Sequence, residues 1–269
     1  MGLIKKFFLT GDTHGRTAER LETLRFKHLD LKPAETALII LGDAGFNFYL
    51  NESDYKNKKQ VNDMGYIVYC LRGNHEERPE NISGMTIMVD HDIHGEVYVE
   101  SMFSNIRYLM DGNVYDFGIF TTLCIGGAYS VDKWYRLQNF RQSNGWCGWF
   151  AEEQLFPDEM NYITKKVKNN YFDFVFTHTC PRYWEPTDLF IGGIDQSAVD
   201  KSMEDWLDKL KNQINFTVWC FGHYHADRLE RPRVEMFFQD ICDLKEVWER
   251  WETSKVDWWL DKSPNYYMT

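Results

Sequence analysis

The chain lacks the features of a membrane-spanning or disulfide-rich protein. No apolar run approaches the ~20 residues that a transmembrane helix needs, and the stretch before Gly11 is too short for a signal peptide. Six cysteines are present, but none form a Cys-x-x-Cys pair, and several stand in apolar, strand-like runs. This usage favours free thiols in a reducing compartment. We therefore expect a cytoplasmic location and no membrane partner.

Basic residues are also scarce. The sequence has 30 Lys and Arg against 41 Asp and Glu, a formal net charge of −11. That balance argues against a protein that coats extended nucleic acid by bulk charge, but it leaves room for a small basic pocket. No internal repeat, low-complexity run or linker stands out, so residues 1–269 are expected to form one domain.

Three apolar runs in the first third of the chain predict β-strands that end in polar residues. Residues 5–10 lead into Gly11-Asp12-Thr13-His14-Gly15, residues 37–41 into Gly42-Asp43, and residues 66–71 into Arg72-Gly73-Asn74-His75-Glu76. Stretches at 16–30 and 51–64 predict helices between them. This alternation is typical of an α/β fold, in which ligands bind at the carboxyl ends of the strands.

The rest of the chain continues the pattern after a less regular region at 80–116. Further strands are expected at 119–125, 173–177, 217–221 and 234–238; the second delivers His178 and the third Gly222-His223-Tyr224-His225. Helices are expected at 151–170, 197–213 and 243–261, with a loose tail at the end of 243–269. Residues 129–150, rich in Trp, Tyr, Arg and Gly, predict an ordered loop insert.

The polar residues at the strand ends form one constellation. Its members are Asp12, His14, Asp43, Asn74, His75, His178, His223 and His225. Oxygen and imidazole donors without a thiolate suit Mn, Fe, Zn, Ni or Co. Seven donors, leaving His75 aside, are too many for one catalytic ion that keeps a position open. We therefore expect two divalent transition-metal ions that share one carboxylate, with Mn favoured, an arrangement suited to phosphoryl chemistry.

The order of these motifs resembles the calcineurin-like metallophosphoesterase family over roughly residues 5–240. The family pattern is D-x-H, G-D, G-N-H-E, a lone H and G-H-x-H. The resemblance implies that Asp12, His14 and His225 hold one metal. It implies that Asn74, His178 and His223 hold the other, that Asp43 bridges both, and that His75 is the catalytic histidine. It also implies a four-layer α/β/β/α sandwich of two mixed sheets flanked by helices.

One departure from the family bears on the substrate. Protein phosphatases of the family carry Asp-Arg shortly after the bridging Asp, where this chain has Phe46 and Asn47. The usual carboxylate behind the catalytic histidine and the usual phosphate-binding arginine are therefore missing there. Candidates for phosphate contacts are Arg72, Arg136, Arg141 and Arg182. In the insert, Trp134, Tyr135, Trp146 and Trp149 could stack on a base.

We thus expect a dimetal phosphoesterase in which a hydroxide between the metals attacks phosphorus and Asp43 and His75 are catalytic. Its substrate would be nucleotide-like or a small phosphoester. The alternatives are a Ser/Thr phosphoprotein phosphatase, a nuclease, or a non-catalytic binding module on the same fold.

Two other groups receive a simpler interpretation. Asp90, His91, Asp92 and His94 look like metal ligands but are expected to form a solvated loop. Trp248, Trp251 and Trp259 predict a docking face, either to the body of the domain or to a second subunit.

Overall fold

The computed structural model describes residues 4–140 and 148–252. The strands within them are, from β1 to β13, Lys6–Thr10, Thr36–Ile40, Ile67–Cys70, Met85–Asp90, Gly95–Glu100, Ile106–Leu109, Asn113–Phe117, Phe120–Ile125, Tyr171–Thr177, Asn215–Phe221, Arg228–Arg231, Val234–Met236 and Cys242–Asp243. The α-helices are, from α1 to α6, Thr17–Lys27, Glu52–Asp63, Lys133–Phe140, Pro157–Val167, Ser202–Leu210 and Leu244–Glu252.

The strands form two mixed sheets. The first has seven strands in the order β13-β1-β2-β3-β6-β5-β4, and the second has six in the order β11-β12-β10-β9-β8-β7. In each sheet the inner strands that carry the predicted motifs run parallel, and antiparallel strands close the edges. The mixed sheets of the predicted fold class are confirmed.

Continuous apolar runs form the inner strands because both of their faces are covered. In β2, Leu38 and Ile40 share a buried cluster with Leu21 of α1 and Val61 of α2. The alternate residue, Ile39, belongs to the cluster between the two sheets. The outer face of the second sheet is buried in turn by α4 and α5. The result is a helix–sheet–sheet–helix sandwich, as predicted.

The register of the parallel strands explains where the motifs meet. In the first sheet Thr10 pairs with Ile40, and Ile40 pairs with Cys70, so β1, β2 and β3 end side by side. In the second sheet Thr177 pairs with Ile125 and with Phe221 in the same way. Residues that follow these strands therefore leave the two sheets at common edges.

The region at 80–116 is more regular than its sequence indicated. It contains the antiparallel pair β4 and β5 followed by β6 and β7. These strands lie toward the sheet edges, where alternating rather than continuous apolar patterns are sufficient. The expectation of a solvated loop is wrong for Asp90, which is buried and accepts hydrogen bonds from the Tyr69 hydroxyl at 2.9 Å and the Arg107 guanidinium. His91 and His94 are exposed.

Two expectations about the later chain are also revised. The insert at 129–150 is not simply a loop, because α3 lies within it; Arg141 and Trp146 lie outside the described residues. Trp248 and Trp251 of α6 pack against the core between the sheets, so this face docks within the chain. Trp259 is outside the described range. No helix among residues 4–140 and 148–252 is long and apolar enough to cross a membrane.

Candidate metal centre

The first predicted metal group assembles at the ends of β1 and β10. Asp12 Oδ2 lies 3.2 Å from His225 Nε2 and 3.8 Å from His14 Nε2. The two imidazole nitrogens are themselves 2.9 Å apart. Asp12 Oδ2 is buried and has no hydrogen-bond partner among the described residues. Three donor atoms thus face one point, and an unpaired carboxylate oxygen there is suited to a cation.

The second group centres on Asn74, at the end of β3. Its Oδ1 lies 2.8 Å from His178 Nε2 and 3.0 Å from His223 Nδ1. Its Nδ2 donates to Ser130 Oγ at 2.9 Å, which leaves the carbonyl oxygen directed at the histidines. His178 Nδ1 donates to the Leu41 carbonyl at 2.7 Å, so Nε2 keeps its lone pair. Hydrogen bonds of this kind orient metal-binding side chains.

Asp43 lies between the two groups. Its Oδ1 is 3.7 Å from His178 Nε2, and donor atoms of Asp12, Asp43 and His178 lie within 4.8 Å of one another. Asp43 Oδ1 also accepts a hydrogen bond from the His75 backbone N–H at 2.9 Å. All seven predicted ligands are therefore brought together, and Asp43 lies between the two groups.

The backbone at the ligands is strained. His14, Asp43, His223 and His225 have φ values of 46°, 50°, 69° and 54°, in the left-handed region that side chains other than glycine disfavour. Such strain collects at functional sites. A β-carbon at Gly42 would overlap the His178 ring, and one at Gly73 would overlap the Asp43 carboxylate. These glycines let the ligand side chains lie directly on the neighbouring backbone.

The protonation states of two of the donors, His223 and Asp43, fit metal binding. Burial, reinforced by the nearby His178 and opposed by Asp43, holds the pKa of His223 well below its usual value, so its imidazole is neutral. Burial alone would raise the pKa of Asp43, but His75, His178 and His14 outweigh it and lower that pKa, so the carboxylate is ionised. Neutral imidazole and ionised carboxylate are the forms that bind metals.

His75 lies beside Asp43, with Nε2 3.9 Å from Asp43 Oδ2. Its buried Nδ1 has no hydrogen-bond partner within the described chain. Burial lowers the pKa of His75, opposed by Asp43. The Phe46 and Asn47 side chains are both buried. Glu76 Oε1 accepts from the Gly73 N–H at 2.8 Å and so holds the turn.

Arg136 of α3 is brought to the site. Its Nη2 lies 3.5 Å from His75 Nε2, and its guanidinium lies 5.8 Å from the centre of the Phe48 ring. Nε donates to Asp132 at 2.7 Å and Nη1 to the Gly148 carbonyl at 2.6 Å. Two sides of the guanidinium are thus held by protein, and Nη2 faces the histidine.

The structure places the other candidate substrate residues elsewhere. Arg72 is 4% exposed; it donates to Asp111 at 2.9 Å and to the Glu153 carbonyl at 2.8 Å, so it braces the turn from within. Trp134 is 66% exposed. Among the described residues, neither Arg72 nor Trp134 lines the cavity over the metal groups. Arg182 pairs with Glu185 at 3.3 Å.

A cavity of about 920 Å³ opens over the metal groups. His14, Asp43, Asn74, His223 and His225 line it, together with His75 and Arg136. Ser130 and Glu204 also line the cavity, although neither was predicted from the sequence. No motif marks either residue. A Ser after Gly126-Gly127-Ala128-Tyr129 and a lone acid in an amphipathic helix carry no chemical signal on their own.

The match to one family model agrees with this geometry. The family model described as calcineurin-like phosphoesterase matches residues 5–227. No curated protein matches the sequence. Among solved structures, the phosphopantetheinyl hydrolase PptH from Mycobacterium tuberculosis has 13% identity and a TM-score of 0.44, with 93% of each chain covered. A protein serine/threonine phosphatase from Saccharomyces cerevisiae has 14% identity and a TM-score of 0.33, covering 88% of this chain and 67% of its own. With its strand-end motifs gathered at one edge and a family match over most of its length, the chain belongs to the calcineurin-like phosphoesterase family.

Proposed function

We propose that the protein is a metal-dependent phosphoesterase that hydrolyses a nucleotide-like or small phosphoester. The observation that carries the proposal is the convergence of six donor side chains into two groups on either side of a seventh donor, Asp43. Two divalent transition-metal ions held there, with Mn favoured, would lower the pKa of a water molecule and neutralise phosphate oxygens. Asp12, His14 and His225 would hold one ion, and Asn74, His178 and His223 the other.

The remaining chemistry falls to His75 and Arg136. His75 would give a proton to the oxygen that leaves phosphorus; its position beside Asp43, in the lining of the cavity, supports this role. Arg136 would contact a phosphate oxygen through Nη2; this role is supported by the hydrogen bonds that hold its other nitrogens to Asp132 and Gly148. Arg136 would thereby supply the cation that the Phe46-Asn47 segment lacks.

A phosphoprotein phosphatase is a weaker candidate because this chain has Phe46-Asn47 in place of Asp-Arg. A non-catalytic binding module would need a missing ligand, whereas all seven donors are present. A nuclease acting on long nucleic acid conflicts with the net charge of −11. A cytoplasmic location remains part of the proposal, in keeping with the buried free thiols.

The test is Asp43→Asn, compared with the wild-type protein after chelation and reloading with Mn. Asn keeps the shape of the side chain but removes the charge that lies between two cations. We expect metal content to fall from two ions per chain and hydrolysis of p-nitrophenyl phosphate to fall with it. Full activity of Asp43→Asn at unchanged metal content would contradict the two-metal assignment.

A further inference from the structure

The cavity extends past the metal groups to a second wall. That wall comes from the segment before α5 and from α5 itself, and it includes Phe190, Ile191, Ile194 and Val199. These apolar side chains share the cavity with the metal ligand His223. An apolar wall in the same cavity as the phosphate site is suited to the organic part of an ester.

Glu204 of α5 is the exception in this wall. Its side chain lines the cavity but is only 3% exposed. Oε1 accepts a hydrogen bond from Thr179 Oγ1 at 2.8 Å, whereas Oε2 has no hydrogen-bond partner in the described part of the chain. Lys201, one turn earlier, directs its ammonium to Glu185 instead, at 2.5 Å. A buried acceptor left unpaired is costly, which makes its presence here informative.

Two aromatic rings, those of Tyr224 and Phe190, line the same cavity as this carboxyl. Tyr224 stands between the ligands His223 and His225 in the sequence, and its hydroxyl lies 3.2 Å from Thr179 Oγ1. The Tyr224 ring is roughly parallel to that of Phe190, with centres 6.4 Å apart. Flat rings beside an unpaired acceptor offer both a stacking surface and a directional hydrogen bond.

We propose that Phe190, Tyr224 and Glu204 form a subsite for the organic group of the phosphoester, selective for a flat nitrogenous base with an N–H donor for Glu204 Oε2. The inference rests on the proposed phosphoesterase function and names the substrate class at that same site. A base without the donor would leave the buried oxygen unpaired, so the subsite would discriminate against it.

The experiment uses matched substrates that differ in one N–H. We would measure kcat/KM of the metal-loaded protein for guanosine and uridine 5′-monophosphates, their N1-methyl and N3-methyl derivatives, and the corresponding p-nitrophenyl diesters. p-Nitrophenyl phosphate serves as the reference without a base. The wild-type protein should prefer the N–H form by tenfold or more for the base that it accepts.

Glu204→Gln tests the residue, because its amide nitrogen replaces Oε2 with a donor while Oε1 can still accept from Thr179. The preference for the N–H form should disappear, so that the ratio of kcat/KM for the N–H and N-methyl forms is about one. Asp205→Asn on the same helix is the control, since Asp205 is exposed, and it should keep the wild-type preference. Metal content and circular dichroism verify that the variants are loaded and folded.

The outcomes separate this inference from the proposed function. The subsite is overturned if the wild-type protein hydrolyses p-nitrophenyl phosphate but shows no preference between the paired nucleotides. This comparison uses the wild-type protein alone. An unchanged preference in Glu204→Gln overturns the role of Glu204. If no phosphoester is hydrolysed, the proposed function fails, and equal affinities of the paired nucleotides for the metal-loaded protein then overturn the subsite as well.

Discussion

Asn74 Oδ1 lies 2.8 Å from His178 Nε2, although the two residues are 104 positions apart and follow strands of different sheets. Neither side chain would hold this position alone. The Ser130 hydroxyl accepts from the Asn74 amide group, and the Leu41 carbonyl accepts from His178 Nδ1. Hydrogen bonds to Ser130 and to the Leu41 carbonyl thus fix the second metal group. These supporting residues can be changed without removing a ligand.

Ser130→Ala should loosen Asn74 without removing a ligand. The Asn74 amide would lose its partner at 2.9 Å and could rotate, so affinity for the second ion should fall by about 10–100-fold. Titration of the metal-stripped protein with Mn, followed by calorimetry, measures this. Ser101→Ala, at an exposed site, is the control and should bind as the wild-type protein does. Unaltered affinity in Ser130→Ala would show that Asn74 needs no support.

His75→Ala should slow hydrolysis while both ions remain bound. Loss of a general acid lowers the rate by about 10²–10⁴ for alkyl phosphates, whose leaving oxygen needs a proton. An aryl phosphate leaves with little need for one, so its rate should fall less. The measurement is kcat for one alkyl and one aryl substrate, with metal content determined on the same samples. Equal losses for the two substrates would exclude the proton-donating role.

The sequence predicted which side chains would lie close together because each follows a strand. A buried parallel strand is readable as a continuous apolar run, and neighbouring parallel strands end at one edge. The position of Arg72 was not predictable in the same way. It stands two residues before Asn74, yet it turns inward because Asp111 and the Glu153 carbonyl, contributed by distant segments, hold it there. Such partners are set by the tertiary fold.

The burial of Glu204 was likewise not predictable from the sequence. In an amphipathic helix an acid normally faces solvent, and the sequence gives no reason to expect otherwise. Its burial follows from the packing of α5 against the second sheet next to Thr179. The helix within 129–150 was missed for a different reason: α3 is only eight residues long, so little more than two turns are present to show a helical period.

Within the insert, Arg136→Ala and Trp134→Ala should behave differently. Arg136 faces His75 and lines the cavity, so its loss should lower kcat/KM by roughly tenfold or more, about 1.4 kcal/mol. Trp134 is mostly exposed, and its truncation should have little effect on turnover. Steady-state kinetics on nucleotides and on p-nitrophenyl phosphate test the pair. Similar losses in both variants, with lower melting temperatures, would mean that the insert acts only as a structural unit.

Stability should depend on pH through Glu204. Burial raises its pKa from 4.5 to about 7, so the folded protein binds a proton there more tightly than the unfolded chain does. A raised carboxyl pKa gives stability that is fully present below about pH 4.5 and is lost as the pH rises through about 7. Glu204→Gln has no proton to lose and should escape this change.

The measurement is the free energy of unfolding of wild-type protein and Glu204→Gln at pH 5 and pH 8, with metal content held fixed. Between these pH values the variant should gain ~1–3 kcal/mol relative to wild type, because it buries no charge at pH 8. Asp205→Asn, exposed on the same helix, should show no such gain. A difference between wild type and Glu204→Gln that stays constant across this range would mean that Glu204 titrates as an ordinary surface carboxyl. A gain at pH 8 together with lost base discrimination would indicate that the buried carboxyl is kept for binding at the expense of stability.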